Sequence, residues 1–221
     1  MIYSIIALCI ILLFLYIKTK NLYLTFKIAA SSVFIYTALF SYINNPTNFN
    51  YFILVLIALI FAFLGDIFLA LKAKPFEKLD NMFFLGLTSF VITHIFYSLA
   101  FISLGSLNIF IFILAILVAL TLITFFKSIK NFSFKNWTTP SYIYIFAISF
   151  MLSNALGLIK CSLDKTPLLL LIIGPLLLFI SDFIISFIFF FEKPSKILGP
   201  INLITYYLGQ ILIALSILYI R

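Results

Sequence analysis

Histidine and tryptophan each occur once in this chain, cysteine twice, and acidic residues only six times. Each scarcity excludes something. One histidine cannot build a three-histidine zinc site. Cys9 and Cys161 make neither a disulfide framework nor a paired metal-ligand pattern. Cys9, set in an apolar run, reads as a small buried hydrophobe. Charged residues are 9% of the 221, against roughly 25% in a soluble domain. No polar stretch is long enough to form a second domain. Walker loops, dinucleotide fingerprints and nucleophile elbows are all missing. The net charge of +8 falls in short segments between apolar runs, so it speaks of membrane orientation and not of nucleic acid.

What is present is hydrophobic length. A spanning helix needs roughly 20 apolar residues. Eight segments qualify: Ile2 to Ile17, Ile28 to Ile43, Tyr51 to Leu71, Met82 to Ser103, Ile109 to Phe126, Ser141 to Ile159, Leu168 to Phe191 and Asn202 to Ile220. The expected fold is an all-α, polytopic transmembrane bundle forming a single integral membrane domain over residues 1–221. The first segment has no basic stretch before it and no small-residue cleavage site after it, so it reads as a span and not a signal peptide. Lys18, Lys20, Lys27, Lys72, Lys74, Lys78, Lys127, Lys130, Lys135, Lys193 and Lys196 follow the odd-numbered spans. Only Lys160, Lys165 and Arg221 lie on the other side. That bias predicts odd connections in the cytoplasm and both termini outside. Asn44-Asn45-Pro46, Lys74-Pro75, Gly105-Ser106, Lys193-Pro194 and Gly199-Pro200 read as connections. Trp137, just before the sixth span, reads as an interfacial anchor. Pro175 either kinks the seventh span near the site or is a tolerated packing defect.

Two of the six acids stand inside these runs, in Phe63-Leu64-Gly65-Asp66 and Phe179-Ile180-Ser181-Asp182. A carboxylate at the centre of a membrane helix costs on the order of 2.5–3.5 kcal/mol or more, so Asp66 and Asp182 are candidate functional residues by default. The two stretches also suggest a 4+4 internal repeat. Leu85-Gly86 then answers Leu198-Gly199, His94 falls opposite Tyr207, and Tyr97 opposite Gln210. Such halves run in the same direction about an axis along the membrane normal, with a site between them. Counted at 1.5 Å per residue, Asp66, His94, Asp182, Tyr206, Tyr207 and Gln210 lie very roughly 7–18 Å below the cytoplasmic surface. His94 shares a helix face with Tyr97, and Gln210 with Tyr206 and Tyr207. Ser153 and Asn154, nearer the other surface, read as glue between helices.

Two carboxyls in apolar surroundings divide acid and base duties, as in glycoside hydrolysis. A Ser–His–Asp triad built on Ser181 is disfavoured, because the adjacent Asp182 points about 100° away around the helix. The alternative from another class is a proton-coupled transporter of lipid or small molecules, since intramembrane Asp and His also serve proton relays.

The ordered motifs Gly65-Asp66, Gly86 with His94 and Tyr97, Ser181-Asp182, and Tyr206-Tyr207-Leu208-Gly209-Gln210 resemble the YhhN family of eight-helix membrane proteins. Animal members of that family are lysoplasmalogenases. The residue before the final Gln is commonly Ala in the family and is Gly209 here. The resemblance implies hydrolysis of the vinyl ether bond of a lysoplasmalogen to a fatty aldehyde and a glycerophospho head group. No cofactor or metal is needed, and the setting is the inner membrane of a bacterium. It implies Asp66 and Asp182 as catalytic acid and base, in either order. His94, Tyr97, Ser181, Tyr206, Tyr207 and Gln210 would support them. The partners expected are a lysophospholipid substrate and membrane lipid. Lys72, Lys74 or Lys196 could meet the phosphate, although orientation already explains them.

Overall fold

The computed structural model describes residues 23–71, 81–105 and 107–220. Among these there are seven α-helices: α1 (Tyr23–Asn44), α2 (Phe49–Leu71), α3 (Asn81–Leu104), α4 (Ile109–Ser128), α5 (Thr138–Gly157), α6 (Lys165–Phe190) and α7 (Leu198–Ser216). All seven are long and apolar enough to cross a membrane. They correspond to the second to eighth expected spans. The first, Ile2 to Ile17, lies outside the described residues, as does Cys9.

Helix starts differ most from expectation, for a local reason. α5, α6 and α7 begin with Thr138-Thr139-Pro140, Lys165-Thr166-Pro167 and Leu198-Gly199-Pro200. Hydropathy alone leaves these polar or breaker residues outside the spans. In each, proline is the third helical residue, where its missing N–H costs no intrahelical bond. Gly199-Pro200 is therefore the first turn of α7 and not a connection. Likewise α1 is already helical at Tyr23, which places Lys27 inside the helix and not in a cytoplasmic connection. Asn48 and Asn108 start α2 and α4, their side chains accepting from Tyr51 N and Ile111 N at 3.0 Å each. α6 runs unbroken through Pro175.

The most extensive packing is of α2 on α3 and of α6 on α7. Glycines permit it. A Cβ on Gly65 would meet the Phe90 ring at 2.8 Å, and one on Gly86 would meet Leu69 at 2.8 Å. A Cβ on Gly209 would meet the Gly174 carbonyl oxygen at 2.9 Å. α1 also packs on α7, and α5 on α3, while α4 lies mainly against α5. One apolar cluster runs through α1, α2, α3, α5, α6 and α7.

A second cluster is mainly aromatic. Phe126, Phe132 and Phe134 stack edge-on and face-on at centroid distances of 4.6 to 5.8 Å, with Phe187 and Phe190 beside them. It binds the α4–α5 connection to the end of α6. Ser133 N donates to the Phe190 carbonyl at 3.0 Å and Glu192 N to that of Asn131 at 3.2 Å. Asn131 takes φ 66° to make this turn. Trp137 is at a helix end as expected, but it is only 2% exposed and meets Phe83 edge-on at 4.7 Å. It is a core residue and not an interfacial anchor, because the connection folds it inward. Asn154 donates to the Phe150 carbonyl of its own helix, so it makes no interhelical bond. Ser153 has no hydrogen-bond partner.

Candidate active site

A cavity opens among the starts of α1, α3, α5 and α7 and the ends of α2 and α6. These termini all belong to the end of the bundle that carries the α2–α3, α4–α5 and α6–α7 connections. Its polar lining includes Lys27, Asp66, Tyr144, Ser181, Asp182 and Asn202, together with the Tyr206 hydroxyl, and aromatic rings such as Phe83, Phe90 and Phe134 close it. The two aspartates, 116 positions apart in the chain, thus face one space.

Asp66 is fully caged. Lys27 Nζ lies 3.0 Å from its Oδ1. Ser31 Oγ donates to Oδ2 at 2.6 Å and the Tyr206 hydroxyl to the same oxygen at 2.9 Å. Three donors, one of them an ammonium, are the surroundings of an ionised carboxylate that only accepts. Lys27 is 7% exposed and Asp66 3%. The cage follows from helix periodicity: Lys27 and Ser31 are spaced i,i+4 on α1 and share a face. Tyr207 reaches Ser31 at 3.3 Å. Gly65 matters here too, since its bare Cα admits the Phe90 ring, which meets Tyr206 edge-on at 5.9 Å.

Asp182 is held differently. His94 Nε2 lies 3.1 Å from its Oδ2 and 3.3 Å from the Tyr144 hydroxyl. Yet Asp182 Oδ2 and His94 Nδ1 are both buried polar atoms without a hydrogen-bond partner. A close approach without alignment is not a hydrogen bond. The Tyr144 hydroxyl also interacts with Asp182, so Asp182 faces an imidazole and a phenol where Asp66 faces an ammonium. Ser181 does not join a triad. It is tied to Asn202 of α7, whose amide donates to the Ser181 hydroxyl and carbonyl at 2.8 Å each.

The expected site residues thus separate into two sets. Asp66, Asp182, Ser181 and Tyr206 line the cavity. His94, Tyr97, Tyr207 and Gln210 stand behind it, with the Tyr97 hydroxyl donating to Gln210 Oε1. Lys27, Ser31, Tyr144 and Asn202 were not singled out from the sequence. A legible signal existed for the first two: a lysine and a serine one turn apart on the flank of an apolar run. Lys72 and Lys74 lie outside the described residues, and Lys196 is exposed and does not line the cavity. Among the described residues no three His, Cys, Asp or Glu side chains converge to hold a metal ion.

A family model described as the YhhN family matches residues 22–217. The chain belongs to the YhhN family. No curated protein and no solved structure matches it. The match spans all seven described helices, including every residue that cages Asp66 or flanks Asp182. The two motif aspartates of this YhhN chain are the two carboxyls of the cavity, and its Tyr-Tyr pair divides between them and the core. Tyr206 reaches Asp66, while Tyr207 is 1% exposed and stacked on Phe34 at 6.3 Å.

Proposed function

We propose that the chain is a membrane hydrolase that cleaves the vinyl ether bond of lysoplasmalogens. The observation carrying this reading is that one cavity is lined by two aspartates with different surroundings, one paired with the Lys27 ammonium and one beside an imidazole and a phenol. Vinyl ether hydrolysis begins with a proton delivered to the β-carbon, which leaves an oxocarbenium ion. Water adds to the α-carbon and loses a proton. The hemiacetal then collapses to a fatty aldehyde and the alcohol of the glycerophospho head group. One acid, one base and a fixed negative charge suffice.

Asp182 is assigned as the proton donor and, once ionised, as the base that takes the proton of the incoming water. Its neighbours His94 and Tyr144, in place of the ammonium that holds Asp66, support this. Asp66, its charge locked by Lys27, Ser31 and Tyr206, serves as the anion that stabilises the oxocarbenium ion. His94 and Tyr144 orient Asp182. The head group occupies the polar cavity, which belongs to the lysine-rich end and hence to the cytoplasmic face of a bacterial inner membrane.

The eight-span, 4+4 architecture is part of this proposal. α1 meets α7 as α5 meets α3, and α2 meets α3 as α6 meets α7. Tyr97 and Gln210, paired in the repeat register, touch each other. Both observations support halves related by an axis between α3 and α7.

The proton-coupled transporter uses the same Asp and His groups. That the cavity draws on one and the same end of six of the seven described helices supports the hydrolase. The deciding assay gives purified protein a vinyl ether lysophospholipid and follows free fatty aldehyde. Wild type should release aldehyde. Asp182→Asn, eluting like wild type on gel filtration, should lose at least about 100-fold, the usual worth of a general acid. A well-folded wild type that releases no aldehyde with either head group would end the hydrolase reading.

A further inference from the structure

Most helical hydroxyls of this bundle are spent on their own backbone. Ser89, Thr93, Ser98 and Ser186 each donate to the carbonyl one turn back, at 2.8 to 3.0 Å. Ser141, the fourth residue of α5, does not. It is 4% exposed, and its hydroxyl has no hydrogen-bond partner in the protein. Ser41, Ser149 and Ser153 are also without a partner, but of the four only Ser141 lines the cavity. The other hydroxyls of the lining are committed: Tyr206 to Asp66, Tyr144 to Asp182 and His94, Ser181 to Asn202, and Ser186 to the Asp182 carbonyl. A buried hydroxyl is unfavourable unless it is met by a partner. Here the partner has to come from the cavity.

We infer that Ser141 is a binding residue for the phosphate of the lipid head group, its hydroxyl donating to a phosphate oxygen at the start of α5. This rests on the hydrolase reading for the lipid that carries the phosphate. Charge favours an anion at this place. The first turns of α1, α3, α5 and α7 all belong to this end of the bundle and border the cavity, and a helix start carries partial positive charge. The two carboxyls of the lining do not oppose it: Asp66 is paired with Lys27, and Asp182 holds the proton it is to deliver. Position agrees. Ser141 precedes Tyr144 by three residues, so along α5 it lies about 4.5 Å nearer the lysine-rich end than the residue whose hydroxyl meets Asp182. In a lysoplasmalogen the phosphate stands on the head-group side of the vinyl ether, beyond the glycerol carbons. A lipid with its double bond at Asp182 and its head group toward the cytoplasm therefore brings the phosphate to Ser141.

The test compares a vinyl ether lysophospholipid with the phosphate-free alkenylglycerol of the same chain, on the full-length protein in detergent. Ser141→Ala should raise KM for the phospholipid about tenfold, the lower range for a hydrogen bond to a charged group, and leave kcat unchanged. Its kinetics on the alkenylglycerol should match wild type. Equal losses on both substrates, the result if Ser141 held the attacking water, would overturn the inference, as would no loss on either. Because the hydroxyl has no partner in the protein, Ser141→Ala should melt no lower than wild type. A lower melting temperature would show that the hydroxyl serves the fold, and would also overturn it. A second arm needs no turnover: binding of a radiolabelled saturated-ether lysophospholipid, which lacks the reactive double bond, against the matching alkylglycerol. Ser141→Ala should weaken binding of the first alone. That binding difference in a protein that releases no aldehyde would refute the reaction and not the phosphate site. Aldehyde release with no difference between the two ligands would refute the phosphate site alone.

Discussion

Lys27 and Asp66 form an ion pair almost out of solvent, and such pairs are costly to break from one side. Lys27→Met leaves a buried carboxylate with two hydroxyls and no cation, a loss of about 3–5 kcal/mol. Adding Asp66→Asn removes the stranded charge. The double variant should therefore unfold later in denaturant than Lys27→Met alone, although both lack activity. A double variant no more stable than the single one would show that the ammonium does not neutralise Asp66. Residues of this kind mark the limit of reading a site from sequence. Asp66 and Asp182 were legible because an acid in an apolar run has no cheap explanation. Lys27 carried a signal only in its spacing from Ser31, since a lysine at the edge of such a run already has an explanation in membrane orientation. Tyr144 and Asn202 were invisible for another reason. A tyrosine or asparagine near a helix start is unremarkable until the fold sets it against Asp182 or Ser181.

The helix pair α6–α7 is built on backbone contact. The Gly209 Cα faces the Gly174 carbonyl so closely that a methyl would sit 2.9 Å away, with the Leu178 side chain at the same distance. This accounts for glycine at position 209: the crossing is closed by Gly174, whose carbonyl oxygen cannot swing aside. Gly209→Ala should cost about 1–3 kcal/mol by overpacking and loosen the Ser181–Asn202 link. Gly199→Ala, which meets nothing within 4 Å, should leave the melting temperature unchanged or raise it slightly. Equal effects at the two positions would refute the close-packing argument. At this scale the sequence was read well for the existence of each described helix and poorly for its first turn. Hydropathy averages over a turn, whereas Pro140, Pro167 and Pro200 act at single positions. The inward turn of Trp137 was likewise beyond reach, because it depends on the α4–α5 connection folding back onto Phe83 and the end of α6.

Across the whole molecule, the aromatic cap and the cavity share one end, the end to which the lysine bias assigns the cytoplasm. With both native cysteines replaced by serine, Asn136→Cys should react with a membrane-impermeant thiol reagent only after the cells are opened. Asp164→Cys, beyond the other end of α5, should react in intact cells. The reverse pattern would place the site on the outer face and detach it from cytoplasmic lipid turnover. The proposed 4+4 pattern is visible in the sequence only as matching motifs, since apolar helices resemble one another by composition.

Neither carboxyl is served wholly by its own half of the chain. Asp66 on α2 takes the Tyr206 hydroxyl from α7, and Asp182 on α6 has His94 of α3 beside it. The halves are thus in mutual debt. Severed between α3 and α4, each fragment would keep one acid and surrender a group that holds it, so fragments made apart would be inert and fragments made together could restore one another.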